Sequence, residues 1–235
     1  MKKAFTMIEL VFVVVVMGIL AATIIPNTRT NPLQEAAVQV LSDIRYTQHL
    51  AMVDDKNDIT RLDSITGLTK WYKERWQILF SSNGGSGGEM GYTVFSDSAG
   101  DSTGNPDEAE IALNPGNPNQ RMTGGYNGAN TKLDIDDANF VGMDRLNIGK
   151  QYNIANVAFS ASCNGGGPST RIAFDHLGRP LQGNRSSNLQ SLDNNDLIQA
   201  DCNIVLTDNE GDIITIKIEE ETGFACILDG ANCII

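Results

Sequence analysis

A predominantly apolar run from Phe5 to Ile25 carries a single charge, Glu9, and this pairing constrains the chain more than any other feature of it. A helix over the run is about 31 Å long, which matches the roughly 30 Å hydrocarbon core of a bilayer. A carboxylate inside such a segment costs about 2.5–3.5 kcal/mol on insertion scales, so Glu9 is expected to have a partner and a role. Lys2 and Lys3 precede the run and favour a cytoplasmic N-terminus. Removal of the run as a secretory signal needs small residues at positions −3 and −1 of the cut. A cut after Ala22 puts Leu20 at −3, and a cut after Ala21 puts Ile19 there. A plain membrane anchor leaves Glu9 unexplained.

Beyond Pro26 the pattern changes. Pro32 suits the first turn of a second helix, with Asn31 as its cap. Leu33, Ala37, Val40, Leu41, Ile44 and Ala51 recur at helical spacing, with Glu35, Asp43 and Arg45 off the stripe. This helix is expected to continue the first across a kink. From Trp71 the chain reads as β structure broken by Gly, Asn, Asp and Pro. Strands are expected over 71–80, 92–95, 153–160 and 171–174. A hairpin is expected from Cys202–Thr207 and Ile213–Ile218 around the turn 208–212, with Ile214, Ile216 and Ile218 on its buried face. The loops between Ser81 and Asn130 are long and glycine-rich and read as surface insertions.

The chain has 29 acidic against 17 basic residues, a net charge of −12, which opposes contact with nucleic-acid phosphates. Arg171, Arg179 and Arg185 are the basic residues that a local exception would use. All four cysteines lie in the second half, and an even number outside the cytoplasm reads as two disulfides. Three pairings exist; the local loop Cys226–Cys233 is favoured, which leaves Cys163–Cys202. Zinc is disfavoured, because no Cys-x-x-Cys occurs and His49 and His176 are the only histidines.

Gly84-Gly85-Ser86-Gly87-Gly88 fits G-x-S-x-G in form, but a nucleophile elbow needs a helix after the serine, and Glu89-Met90-Gly91 starts none. The run lacks the lysine of a P-loop. Asp134, Asp136, Asp137 and the 193–196 cluster offer oxygen ligands for calcium without matching an EF-hand spacing; solvated turns are the expectation, and no cofactor or metal is expected. His176 is expected in a turn. Trp71 and Trp76 are expected in the core or on the sheet surface.

Ala4-Phe5-Thr6-Met7-Ile8-Glu9 resembles the processing site of type IV pilins and pseudopilins. The resemblance implies a leader of residues 1–4, a prepilin peptidase cut between Ala4 and Phe5, and N-methylation of Phe5. Ala4 stands where that family usually has glycine. Pro26 falls where pilins commonly bend the helix. The cut would free an amine at Phe5 one turn from Glu9, an i,i+4 pair on one face that would be matched within the subunit or between neighbours. Trp71 to Phe80, Arg171 to Pro180 and Ile204 with Thr222-Gly223 are similar to the H-type minor pseudopilins, the GspH/FimT family. The implied fold is α+β: a long N-terminal helix, membrane-spanning over 5–25 and amphipathic over 26–55, packed against an antiparallel β-sheet or β-sandwich head over 56–235.

The implied function is structural rather than enzymatic. A single-pass subunit of the bacterial inner membrane, with its head in the periplasm, would enter the pseudopilus of a type II secretion system through other pseudopilins and the inner-membrane assembly platform. A minor type IV pilin serving pilus assembly or DNA uptake is the alternative, and an anchored periplasmic hydrolase or binding protein is the rival from another class.

Overall fold

The computed structural model describes residues 6–24, 31–54, 71–98, 104–127, 131–164, 169–183 and 197–234, with single positions between 56 and 67. The chain divides into two compact units, 1–31 and 32–235. The boundary falls between Asn31 and Pro32. Ala4, Phe5 and Pro26 lie outside the described residues, as do Arg185 and the 193–196 cluster.

The first unit holds α1, Met7–Ile24. Side chains are described as far as Leu20, a length of about 21 Å. Among the described residues no helix is long and apolar enough to cross a membrane.

The second unit is α+β with antiparallel sheets. It opens on α2, Pro32–Val53, with proline at the first helical position, where its missing N–H costs nothing. Leu33, Ala36, Ala37, Val40, Leu41, Ile44 and Ala51 are buried along one face of α2. That face lies against two sheets. In the first, β1 (Trp76–Ser82), β2 (Met90–Ser96), β6 (Arg171–Phe174) and β7 (Pro180–Gln182) run in the order β2-β1-β6-β7. In the second, β5 (Ile154–Phe159), β8 (Cys202–Asp208), β9 (Ile213–Ile218), β10 (Ala225–Asp229) and β11 (Asn232–Ile234) run β11-β10-β9-β8-β5. A separate ribbon pairs β3 (Leu113–Asn114) with β4 (Asn117–Arg121), and two short helices, α3 (Ile148–Tyr152) and α4 (Ala161–Asn164), complete the unit.

The β8–β9 hairpin follows from period-two alternation. Cys202, Ile204 and Leu206 are buried, and Ile218 and Ile216 lie opposite Cys202 and Ile204 on the same face. Its turn is set by Asp208, whose Oδ1 accepts from the N–H groups of Glu210 (3.0 Å) and Asp212 (2.9 Å). Disulfides join Cys163 to Cys202 and Cys226 to Cys233, with Cα separations of 4.8 and 5.5 Å.

Two expectations are corrected. Residues 71–74 form a turn, not the start of a strand, and β1 begins at Trp76. Lys73, Glu74 and Arg75 are buried there, so the aromatic composition that favours a strand serves a packed turn instead. The stretch from Ser81 to Asn130 is also not a set of surface insertions. Outside the expected strand at 92–95, it contributes Ile111, Ala112 and Met122 to the core. The Val94 N–H donates to the Met122 carbonyl (2.9 Å) and the Gly124 N–H to the Tyr92 carbonyl (3.0 Å), which binds 122–124 to β2. Gly85 sits against Tyr126, whose carbonyl carbon and oxygen would be 2.3 Å from any Cβ placed there. Gly85, Gly124 and Gly125 thus serve close backbone approach.

Candidate functional site

Two features of the chain stand out at its surface: the start of α1 and the outer ridge of α2. At the first, Glu9 Oε2 accepts from the Thr6 backbone N–H (2.8 Å) and the Thr6 hydroxyl (2.8 Å). The Glu9 N–H lies 3.4 Å from Thr6 Oγ1. Thr6-Met7-Ile8-Glu9 is a T-x-x-E capping box, which satisfies orphan donors at the helix start. That signal is legible at 6–9 and gives Glu9 a local task beside any intermolecular one. From Met7 to Leu20 every side chain is exposed, including Phe12 at 70% and Met17 at 66%. The described part of α1 is thus apolar on all sides but for Thr6 and Glu9 at its start.

The second feature is positioned by a polar lock beneath α2. Asp43, placed off the apolar stripe by spacing alone, is buried; its side chain is 7% exposed. Tyr92 Oη donates to Asp43 Oδ2 (2.6 Å), and Arg145 Nη1 donates to the same oxygen (3.0 Å). Gln39 Nε2 donates to Tyr92 Oη (2.9 Å) and to the Arg145 carbonyl (2.6 Å), while its Oε1 accepts from Tyr152 Oη (2.9 Å). Burial, then the charge of Asp43, hold the Tyr92 phenol well above its ordinary pKa, so it stays a proton donor. The lock fixes the azimuth of α2. Val38, 53% exposed, then stands on a ridge with Ser42. On one side lies an apolar groove of about 270 Å³ between Leu41, Ile227 and Ile234. On the other lies a more open groove of about 630 Å³ between Glu35, Arg145 and Tyr152. Neither groove has a sequence signal, because Arg145, Ile227 and Ile234 come from distant segments.

The remaining candidates are dispersed. Ser86 is buried in a one-turn 3-10 helix capped by Asn83. Its hydroxyl accepts from the Asn83 N–H (3.0 Å) and lies 2.9 and 2.7 Å from the Asn83 and Glu89 carbonyls. His49 is exposed on α2, and His176 is exposed in the turn after β6. Asp134 and Asp137 accept from the N–H groups of Asp136 (3.0 Å) and Asn139 (2.7 Å), which are turn contacts. Among the described residues no group of three or more His, Cys, Asp or Glu is placed to hold a metal ion.

Arg171 and Arg179 do not make a basic patch. Arg171 is buried, donates to Gln77 Oε1 (3.0 Å) and stacks over Phe95, and Arg179 is paired with Asp175 (2.7 Å). Trp76 is half-buried, its Nε1 donating to Asp54 (2.9 Å), with Lys56 over the ring; Trp71 is half-buried under Arg75.

In comparisons with protein families, curated proteins and solved structures, nothing matched this chain.

Proposed function

We propose that this chain is a non-enzymatic filament subunit of the pilin-like class, closest in kind to the H-type minor pseudopilins of type II secretion. In this reading prepilin peptidase cuts between Ala4 and Phe5, and Phe5 is N-methylated. The helix over 5–25 anchors the subunit in the bacterial inner membrane with its head in the periplasm, and the assembly platform draws it into a periplasmic pseudopilus beside other pseudopilins. The observation that carries the reading is the lone carboxylate, Glu9, one helical turn from Phe5 in an otherwise apolar segment. A cut before Phe5 places a new ammonium where Glu9 can match it, in the same subunit or the next.

Further support comes from both units. The all-round exposure of apolar α1 side chains calls for lipid first and neighbouring helices later. Two disulfides suit an oxidising compartment. The ridge at Val38 between two grooves gives the second unit a surface along which neighbours can pack.

The test separates the charge of Glu9 from its cap. Glu9→Gln keeps an acceptor for Thr6 and loses the charge; Glu9→Leu loses both. The expected result is normal cleavage but loss of filament incorporation, measured by co-isolation with sheared filaments, in both variants. Normal incorporation of Glu9→Gln would reduce Glu9 to a helix cap and remove the ion pair from the account.

A further inference from the structure

The turn after β6 and the turn between β9 and β10 are packed back to back on the last turns of α2. Gln48 Nε2 donates to the carbonyls of both Gly178 (2.8 Å) and Thr222 (2.9 Å). Gly178 and Gly223 hold φ values of +82° and +66°, and a Cβ on Gly223 would lie 2.3 Å from the Gly178 carbonyl oxygen. Asp175 fixes the first turn by accepting from the N–H groups of Leu177 (3.0 Å) and Arg179 (2.8 Å). Thr222 fixes the second by accepting from the Phe224 N–H (3.1 Å). Such construction leaves little freedom, yet its outward side chains are large and apolar. Leu177 is 61% and Phe224 49% exposed, beside Met52 at 46% and Val53 at 70%. Rigid apolar residues clustered at one end of a helix mark an interaction site, where scattered ones would not.

The rim of this surface is acidic. Glu220 and Glu221 stand over a cleft of about 420 Å³ that Arg179, Leu197, Ile198 and Gln199 also line. Asp201 and Glu219 share one cation, Lys217, at 3.3 Å each, and Arg179 is committed to Asp175. Two carboxylates over a cleft whose own arginine is already paired with Asp175 fit a further lysine or arginine, whose apolar stem can lie along Leu197 and whose head is charged.

We propose that this surface docks a different protein, one that presents apolar side chains over Leu177 and Phe224 and a lysine or arginine into the cleft beneath Glu220 and Glu221. A second copy is disfavoured, because a chain with 29 acidic and 17 basic residues brings like charge to an acidic rim. Anionic lipid is disfavoured for the same reason. The inference does not depend on the filament reading, since every residue it uses lies within 32–235.

The test places a photo-reactive benzophenone amino acid at Leu177 in the full chain, in the cells that make it, and maps cross-linked sites by mass spectrometry. The expected product joins Leu177 to another protein at an apolar surface beside a lysine or arginine. Its yield falls at least tenfold with Glu220→Lys plus Glu221→Lys, stays unchanged with Glu210→Lys on the 208–212 turn, and returns when the partner's cation is changed to glutamate. Cross-links to lipid or to a second copy only, the absence of any product, or a yield that survives the double charge reversal would each overturn the proposal.

Discussion

Removal of one oxygen atom tests the polar lock beneath α2. Tyr92→Phe keeps the ring, which packs 5.3 Å from Phe80, and deletes the hydroxyl that donates to Asp43 and accepts from Gln39. Gln39 retains its bond to the Arg145 carbonyl, and Asp43 retains Arg145, so the loss centres on one hydrogen bond to a buried carboxylate. Such bonds contribute about 1.5–3 kcal/mol. A cost of about 2 kcal/mol lowers the thermal midpoint by about 4–8 °C in a unit of this size. The assay is urea and thermal unfolding of the full chain in detergent micelles, followed by circular dichroism, with Asp43→Asn and the double variant completing a cycle.

The coupling between Tyr92 and Asp43 is expected to exceed about 1 kcal/mol. The pH dependence has a definite sign. The folded phenol titrates above its unfolded value, near 10, so its contribution is whole below about pH 10 and is lost as pH rises through the folded value. The advantage of the wild-type chain over Tyr92→Phe therefore shrinks above pH 10. Strict additivity with Asp43→Asn, or a cost under about 0.5 kcal/mol, would refute the reasoning.

The two disulfides close loops of different length, with sequence separations of 39 and 7. In the chain-entropy account Cys163→Ser costs about 4 kcal/mol and Cys226→Ser about 2 kcal/mol, an order that urea unfolding of the two variants checks. Gly223→Ala is expected to destabilise the head by more than about 1 kcal/mol, because its φ is positive and its Cβ would meet the Gly178 carbonyl. Thermal unfolding reads that loss. Val38→Asp on the exposed ridge of α2 is expected to shift stability by less than about 0.5 kcal/mol while reducing incorporation into filaments, which separates surface from core.

Local patterns carried much of this fold in the sequence. The helical stripe from Leu33 to Ala51 and the alternation of Ile214, Ile216 and Ile218 depend on neighbours within a few residues, and period alone reveals which face turns inward. What stayed hidden depends on distance along the chain. Asp43 looks like a solvent residue until Tyr92 and Arg145 arrive from 49 and 102 positions away. The Ser81–Asn130 stretch looks like loops because glycine and asparagine mark turns, and nothing local reports that Gly85 lies against Tyr126. Trp71-Tyr72 carries strand-forming side chains, but Lys73, Glu74 and Arg75 bury into a turn there, and tertiary packing overrides propensity. At the candidate site, Glu9 is conspicuous by charge in an apolar run, whereas the Thr6 half of its capping box is overshadowed by that charge.

The mature N-terminus is the most direct measure of the central claim. Intact mass and terminal peptide sequencing of the protein from its native membrane are expected to give a chain starting at methylated Phe5, with Glu9 fifth. A chain that keeps Met1, or one that starts beyond Ala22 and has lost Glu9 with its helix, would contradict the account.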